Sequence, residues 1–126
     1  MSTNVTLVGN VTRDPEIKFS DKGMAVTKFN LAVNKKNKAG EETTSFFSVT
    51  CFGSLAENVS NCVNSGNRVI VAGNVEVQTY VKKDGTNGTS VNVIADSVGF
   101  ELRFGTATFS KNAPQGGSSF SQEEAF

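Results

Sequence analysis

Along almost the whole of this chain, apolar side chains recur with a period of two, and that period changes only once. Residues 4–11 (NVTLVGNV), 44–52 (TSFFSVTCF) and 68–81 (RVIVAGNVEVQTYV) all alternate in this way. Successive side chains of a strand point to opposite faces, so such alternation belongs to sheets with one covered face. Between residues 54 and 63 the spacing becomes helical: Leu55, Val59, Cys62 and Val63 stand at i, i+4, i+7 and i+8. One short helix set among strands is a strong restriction on what the chain can become.

The first strand is expected over 4–11, with Gly9 marking a bend or a close backbone approach. A short arm follows at 16–19, then the turn Ser20-Asp21-Lys22-Gly23 and a second long strand over 24–33. The parity of its apolar residues changes between Met24/Val26 and Phe29/Leu31/Val33, which predicts a β-bulge near Thr27-Lys28. Residues 34–42 form a polar loop before the third strand, and Ser54-Leu55-Ala56-Glu57 has capping-box spacing at the helix start. Ser65-Gly66 ends the helix, strand 68–81 carries Gly73 at its middle, and a turn-rich tip at 83–88 leads into a returning strand at 89–95. A last alternation, Val98, Phe100, Leu102 and Phe104, extends the sheet or closes an interface.

This order predicts an all-β fold: a five-stranded barrel of the oligonucleotide-binding type (OB-fold), its helix between strands 3 and 4. Two long hairpin arms, 10–27 and 75–95, extend from it. Another small β-barrel or an α+β sandwich shares the pattern. Residues 1–110 form one binding and oligomerisation domain, and 111–126, rich in Gly, Ser and Gln, form a disordered, flexible tail.

Catalysis finds little material. The chain has no His, which removes the commonest neutral-pH base and every triad that needs imidazole. No Gly-Lys-Ser/Thr follows its isolated strand glycines, so no phosphate-binding loop is present. Cys51 and Cys62 make neither a disulfide framework nor a metal motif, and both are expected to be inert packing residues. No enzyme activity, cofactor or metal is expected. Without an apolar leader or a long apolar run, a cytoplasmic protein with no membrane contact is expected.

Side-chain parity says more. On the third strand Phe47, Val49 and Cys51 suit a core, while Phe46, Ser48, Thr50 and Phe52 share the other face. Two rings bracketing two small polar residues leave room for bases to lie on them, worth roughly 1–3 kcal/mol per stacked base. The alternative is burial of one or both rings under the helix or at a subunit contact. On the following arm Val75, Val77, Thr79 and Val81 form one face; Glu76, Gln78, Tyr80 and Lys82 form the other. Tyr80, the only tyrosine, stands beside Lys82 and Lys83, as a stacking ring or as a cross-strand partner. Formal net charge is zero, but residues 1–40 hold seven basic against three acidic side chains. Among them Lys35, Lys36 and Lys38 in the loop, with Arg13 and Lys18 on the first arm, are candidates for phosphate contacts.

These pieces together resemble the bacterial single-stranded DNA-binding protein family. The resemblance rests on VTLVGNVTRDPEIKFSDKGMAVTKFNLAVN, SFFSVTCFGSLAENV, GNRVIVAGNVEVQTY with a following Lys-Asp-Gly turn, and VNVIADSVG. They span roughly residues 4–100, and FELRFGTATFSK is similar to actinobacterial members. The resemblance implies a homo-oligomer, usually a tetramer, that wraps single-stranded DNA in replication, recombination and repair, in the cytoplasm and at the nucleoid. It places stacking aromatics at Phe46, Phe52 and Tyr80 and an arm aromatic at Phe19. A further family aromatic corresponds to Asn37, so that contact is expected to be absent. Basic residues of some members are replaced by Ser48, Ser54, Glu76 and Gln78, and a His near a subunit contact by Phe47. The family's acidic tip, which docks replication and repair proteins, is shortened here to Glu123-Glu124-Ala125-Phe126. An RNA-binding barrel, or a barrel serving as an assembly and docking subunit, are the competing readings.

Overall fold

The computed structural model describes residues 3–112, so the expected tail and its tip at Glu123, Glu124 and Phe126 lie outside the described residues. Six strands and one helix follow in order: β1 (Asn4–Val11), β2 (Glu16–Phe19), β3 (Ala25–Lys36), β4 (Glu42–Phe52), α1 (Gly53–Cys62), β5 (Arg68–Val81) and β6 (Asn87–Phe100). The strands form one sheet in the order β1-β5-β6-β4-β3-β2. Pairing of Asn10 and Val11 with Ala32 and Leu31 brings β1 back to β3 and closes five strands into a barrel. The short β2 hangs on the outside of β3. A parallel contact of Ser48–Thr50 with Asn92–Ile94 supplies the other seam. The five-stranded barrel with its helix after the third long strand is the expected architecture, with the arm strand as a sixth.

The core follows from the alternation. Leu31, Val49, Cys51, Val69, Val71 and Val93 point inward and are fully buried. The helix adds Ala56, Val59 and Val63 from its inner side and lies mainly against β3 and β4. Close approach of strands at the barrel corner is possible because Gly9 has no side chain: a Cβ there would stand 2.5 Å from the Ala32 carbonyl oxygen.

The expected bulge at Thr27-Lys28 is absent. The pairing of β3 with β2 and β4 runs unbroken through both residues. Thr27 itself points inward, fully buried, and its hydroxyl donates to the Ala56 carbonyl at 2.7 Å. Ala25, Thr27, Phe29 and Leu31 therefore make one inward face, and Val26 belongs to the other. A hydroxyl buried without a partner costs about 1–3 kcal/mol, so the helix carbonyl is what admits a polar residue to the core. The sheet does have a bulge on β6, where Asp96 is the extra residue opposite the Ala72–Gly73 step of β5. That extra residue returns Val98 and Phe100 to the core side, and β6 runs on through Phe100, leaving Leu102 and Phe104 exposed.

Two further expectations change at the helix. Its N-cap is Phe52, with no side-chain cap hydrogen bond, so Ser54 does not close a capping box. Gly53, at a φ of 67°, turns the chain straight from β4 into the helix and carries Ser54 past the cap position. Cys62 is exposed rather than packed, because the buried stripe runs through Ala56, Val59 and Val63. Its thiol donates to the Asn58 carbonyl at 3.1 Å. Cys51 is a core residue, and burial pushes its thiol up to about 11.

Candidate nucleic-acid interface

Phe46 and Phe52 point away from the core on β4, 67% and 44% exposed, while Val49 and Cys51 are sealed and Phe47 packs against them half-buried. Six residues apart on one strand, the two rings are about 20 Å from each other. Between them Ser48 is half-buried and Thr50 is buried, its hydroxyl donating to the Asn92 side-chain oxygen at 3.3 Å. The floor between the rings is thus a fixed polar seam where β4 meets β6, and less open than the alternation alone implied.

Register assigns the neighbours on this outer face. Lys18, Val26 and Phe52 stand in one row across β2, β3 and β4, which puts Lys18 about 10 Å from Phe52 in strand spacing. Glu16, Lys28 and Thr50 make the next row. Lys28 is exposed on the same face as both rings, a position missed from sequence. Its signal was available: with no bulge, residues 26, 28, 30 and 32 share the parity opposite the core.

Tyr80 joins the same face from β5. Glu76 is paired with Asn92, which in turn lies beside Ser48; Gln78 and Tyr80 follow outward along the arm with the same parity. Tyr80 is 49% exposed, and its ring lies over Gly88 of β6. Beyond it Lys82 and Lys83 flank the hairpin tip, both exposed. The tip is closed by bonds from the Lys82 amide to the Thr86 carbonyl and from the Gly85 amide to the Lys82 carbonyl. Asp84 accepts from the Thr86 hydroxyl at 2.6 Å and from its amide at 3.0 Å, which holds the Asp84 carboxyl below its ordinary value.

The lysine loop is shorter than expected, since β3 and β4 stay paired as far as Lys36 and Glu42. Lys36 shares the parity of Ala32, the partner of Phe46, and has an exposed ion pair with Glu42 at 3.9 Å; Lys35 has the opposite parity, and Lys38 lies in the turn. Asn37 organises this turn: its side-chain oxygen accepts from the amides of Ala39 and Glu41, both at 2.9 Å. Arg13 is exposed on a loop pinned by the Ser65 amide donating to Asp14 at 2.8 Å. Phe19 is 63% exposed but pairs with buried Ala25, so register sets it on the side opposite Phe46, Phe52 and Tyr80. The face therefore gathers three rings with Lys18, Lys28 and Lys36, and Phe19 stands apart from them.

Among the described residues no cluster of His, Cys, Asp or Glu could hold a metal ion, and no helix is long and apolar enough to cross a membrane. Known proteins resemble most of this chain. The model of the single-strand binding protein family matches residues 2–101. A single-stranded DNA-binding protein of Paenarthrobacter nicotinovorans is 33% identical over 122 residues, covering 90% of this chain and 71% of the relative. One from Corynebacterium glutamicum is 35% identical over 123 residues, 93% of this chain but 54% of the longer relative. The crystal structure of a small single-stranded DNA-binding protein from Streptomyces coelicolor superposes with a TM-score of 0.71 at 30% identity, over 80% of this chain and 95% of that one. With barrel, exposed rings and family match in agreement, this chain belongs to the single-strand binding protein family.

Proposed function

We propose that this protein binds single-stranded DNA without sequence preference and protects it during replication, recombination and repair. The observation that carries this reading is the shared outer face on which Phe46, Phe52 and Tyr80 are all exposed beside lysines. Rings accept any base, and cations on flexible stems follow a flexible backbone, so affinity comes without a code. Duplex DNA, whose base faces are already stacked, gains nothing from such rings. The protein performs no catalysis and uses no cofactor. Arg13, Lys35, Lys38, Lys82 and Lys83 serve as peripheral phosphate contacts, and Phe19 reaches the strand only around the edge of β2.

The protein acts as a homo-oligomer, a tetramer. One edge of β1 supports this: it is paired with β5 on one side, but meets β3 only at Asn10 and Val11 on the other. Residues 4–8 thus leave a strand edge suited to another copy. The Glu123-Glu124-Ala125-Phe126 tip recruits replication and repair proteins by inserting a ring into a basic-rimmed pocket. The site of action is the cytoplasm and the nucleoid.

Titration with oligothymidine at two salt concentrations, with the mass of the complex measured alongside, tests the reading. Replacing Phe46, Phe52 and Tyr80 together by Ala is expected to weaken binding by about a hundredfold or more, since each stack contributes roughly 1–3 kcal/mol. Unchanged binding by the triple variant would sink the stacking reading and favour an assembly role. Tighter binding to the RNA of the same bases would move the protein to an RNA ligand.

A further inference from the structure

Gly88 is the second residue of β6, just past the hairpin tip, and within a strand glycine normally weakens the sheet by about 0.5–1 kcal/mol relative to Ala. The backbone does not require it. Its φ lies outside the left-handed region, unlike that of Gly85 in the adjoining turn at 88°. Gly9 and Gly73 are excluded from carrying a side chain by the main chain of the neighbouring strand. At Gly88 the three nearest atoms to an added Cβ all belong to the Tyr80 ring: Cζ at 2.6 Å, Cε2 at 2.8 Å and the hydroxyl oxygen at 2.8 Å. Gly88 is paired directly with Tyr80 across the ladder, and is itself buried although every residue around it on the arm is exposed.

We infer that Gly88 is a positioning residue that seats the Tyr80 ring down on β6 and leaves one side of it open for a single base. This rests on the reading of Tyr80 as a stacking ring. A ring free to rotate about its first side-chain bond would lose conformational freedom each time a base docked. One already laid across the ladder has surrendered that freedom on folding, so more of the stacking energy appears as affinity. One side of the ring covers the glycine and the other faces solvent, which agrees with its 49% exposure. Such a ring ends a stack instead of intercalating between two bases. Any side chain at position 88 displaces the ring while leaving the strand intact, because the clash is with the far end of a side chain and not with backbone.

The chain holds one Tyr and no Trp, so intrinsic tyrosine fluorescence reports this ring alone. Titration of the full-length protein with oligothymidine compares wild type, Gly88→Ala, Tyr80→Ala and the double variant. Gly99→Ala is the control, since a Cβ at that exposed glycine of the same strand meets nothing within 4 Å. Gly88→Ala is expected to keep or raise the urea midpoint, to lower affinity about five- to tenfold and to reduce the quenching of Tyr80 at saturation. In the Tyr80→Ala background the same change should have no further effect on affinity. Wild-type affinity and quenching in Gly88→Ala, with Tyr80→Ala weakened, would overturn the seat and leave the platform standing. A fallen urea midpoint in Gly88→Ala would also overturn it, marking the glycine as structural. If Tyr80→Ala binds as wild type, it is the reading of Tyr80 as a stacking ring that fails.

Discussion

The β5–β6 hairpin carries one alternation from end to end, yet its two halves have different surroundings. In the barrel half, Val69, Val71 and Val93 are fully buried. In the arm half, Val77 and Val81 continue the same face but are 62% and 72% exposed. Period two states which side chains share a face; it does not state whether anything covers that face. The cover in the barrel comes from β1, β3 and β4, remote in sequence, and from the helix that precedes β5. The arm projects past them, and its polar face leaves Tyr80 half exposed. Stability, and in the proposed function binding, are thus drawn from successive stretches of the same two strands.

Hydrogen exchange provides the largest test of this division. Amides of Val69 and Val71 should exchange only through global unfolding, while those of Tyr80 and Val81 open locally, at least about a thousandfold faster. Equal protection in the two halves would break the comparison and show that the arm is covered in the assembled protein. Matched truncations sharpen it: Val71→Ala should cost about 2 kcal/mol in urea unfolding, and Val81→Ala less than about 0.5 kcal/mol. A comparable loss at Val81 would reveal a subunit contact on the arm's aliphatic face.

The smallest effect is at the hairpin tip. Hydrogen bonds from the Thr86 hydroxyl and amide lower the Asp84 pKa from its ordinary 3.8. A carboxylate whose folded pKa lies below its unfolded one contributes above the unfolded value, and that contribution is lost as pH falls through the folded value. The Thr86 amide resonance should therefore titrate with a midpoint below 3.8 while the Val71 amide stays still. A midpoint at or above 3.8 would mean that the tip turn does not persist in solution.

Much of the interface was legible because it depends on parity along single strands. Phe46 and Phe52 opposite Val49 and Cys51, and Tyr80 opposite Val77, need only a period of two, and Gly9 needs only a glycine where two strands cross. What failed did so where a distant partner changes the meaning of a residue. Thr27 reads as a break in an apolar face until the Ala56 carbonyl, 29 residues later, accepts its proton. Cys62 reads as part of an apolar stripe until the helix settles on Ala56, Val59 and Val63. The helical period gives a stripe, but packing selects which edge of it is buried. Phe19 shares its type with the exposed rings of the outer face, and only its register against Ala25 sets it on the other face.

By itself, then, the sequence determined the order of strands and helix, the faces of β4 and β5, and the residue types available to meet a single strand. Each of these follows from local backbone geometry, which repeats every two or 3.6 residues whatever lies nearby. Only the tertiary structure decided that Thr27 enters the core, that the bulge falls at Asp96, that Lys28 joins the ring face and that Gly88 lies beneath Tyr80. Those outcomes depend on pairings between segments far apart in the chain, and burial and contact exist only once such segments have met.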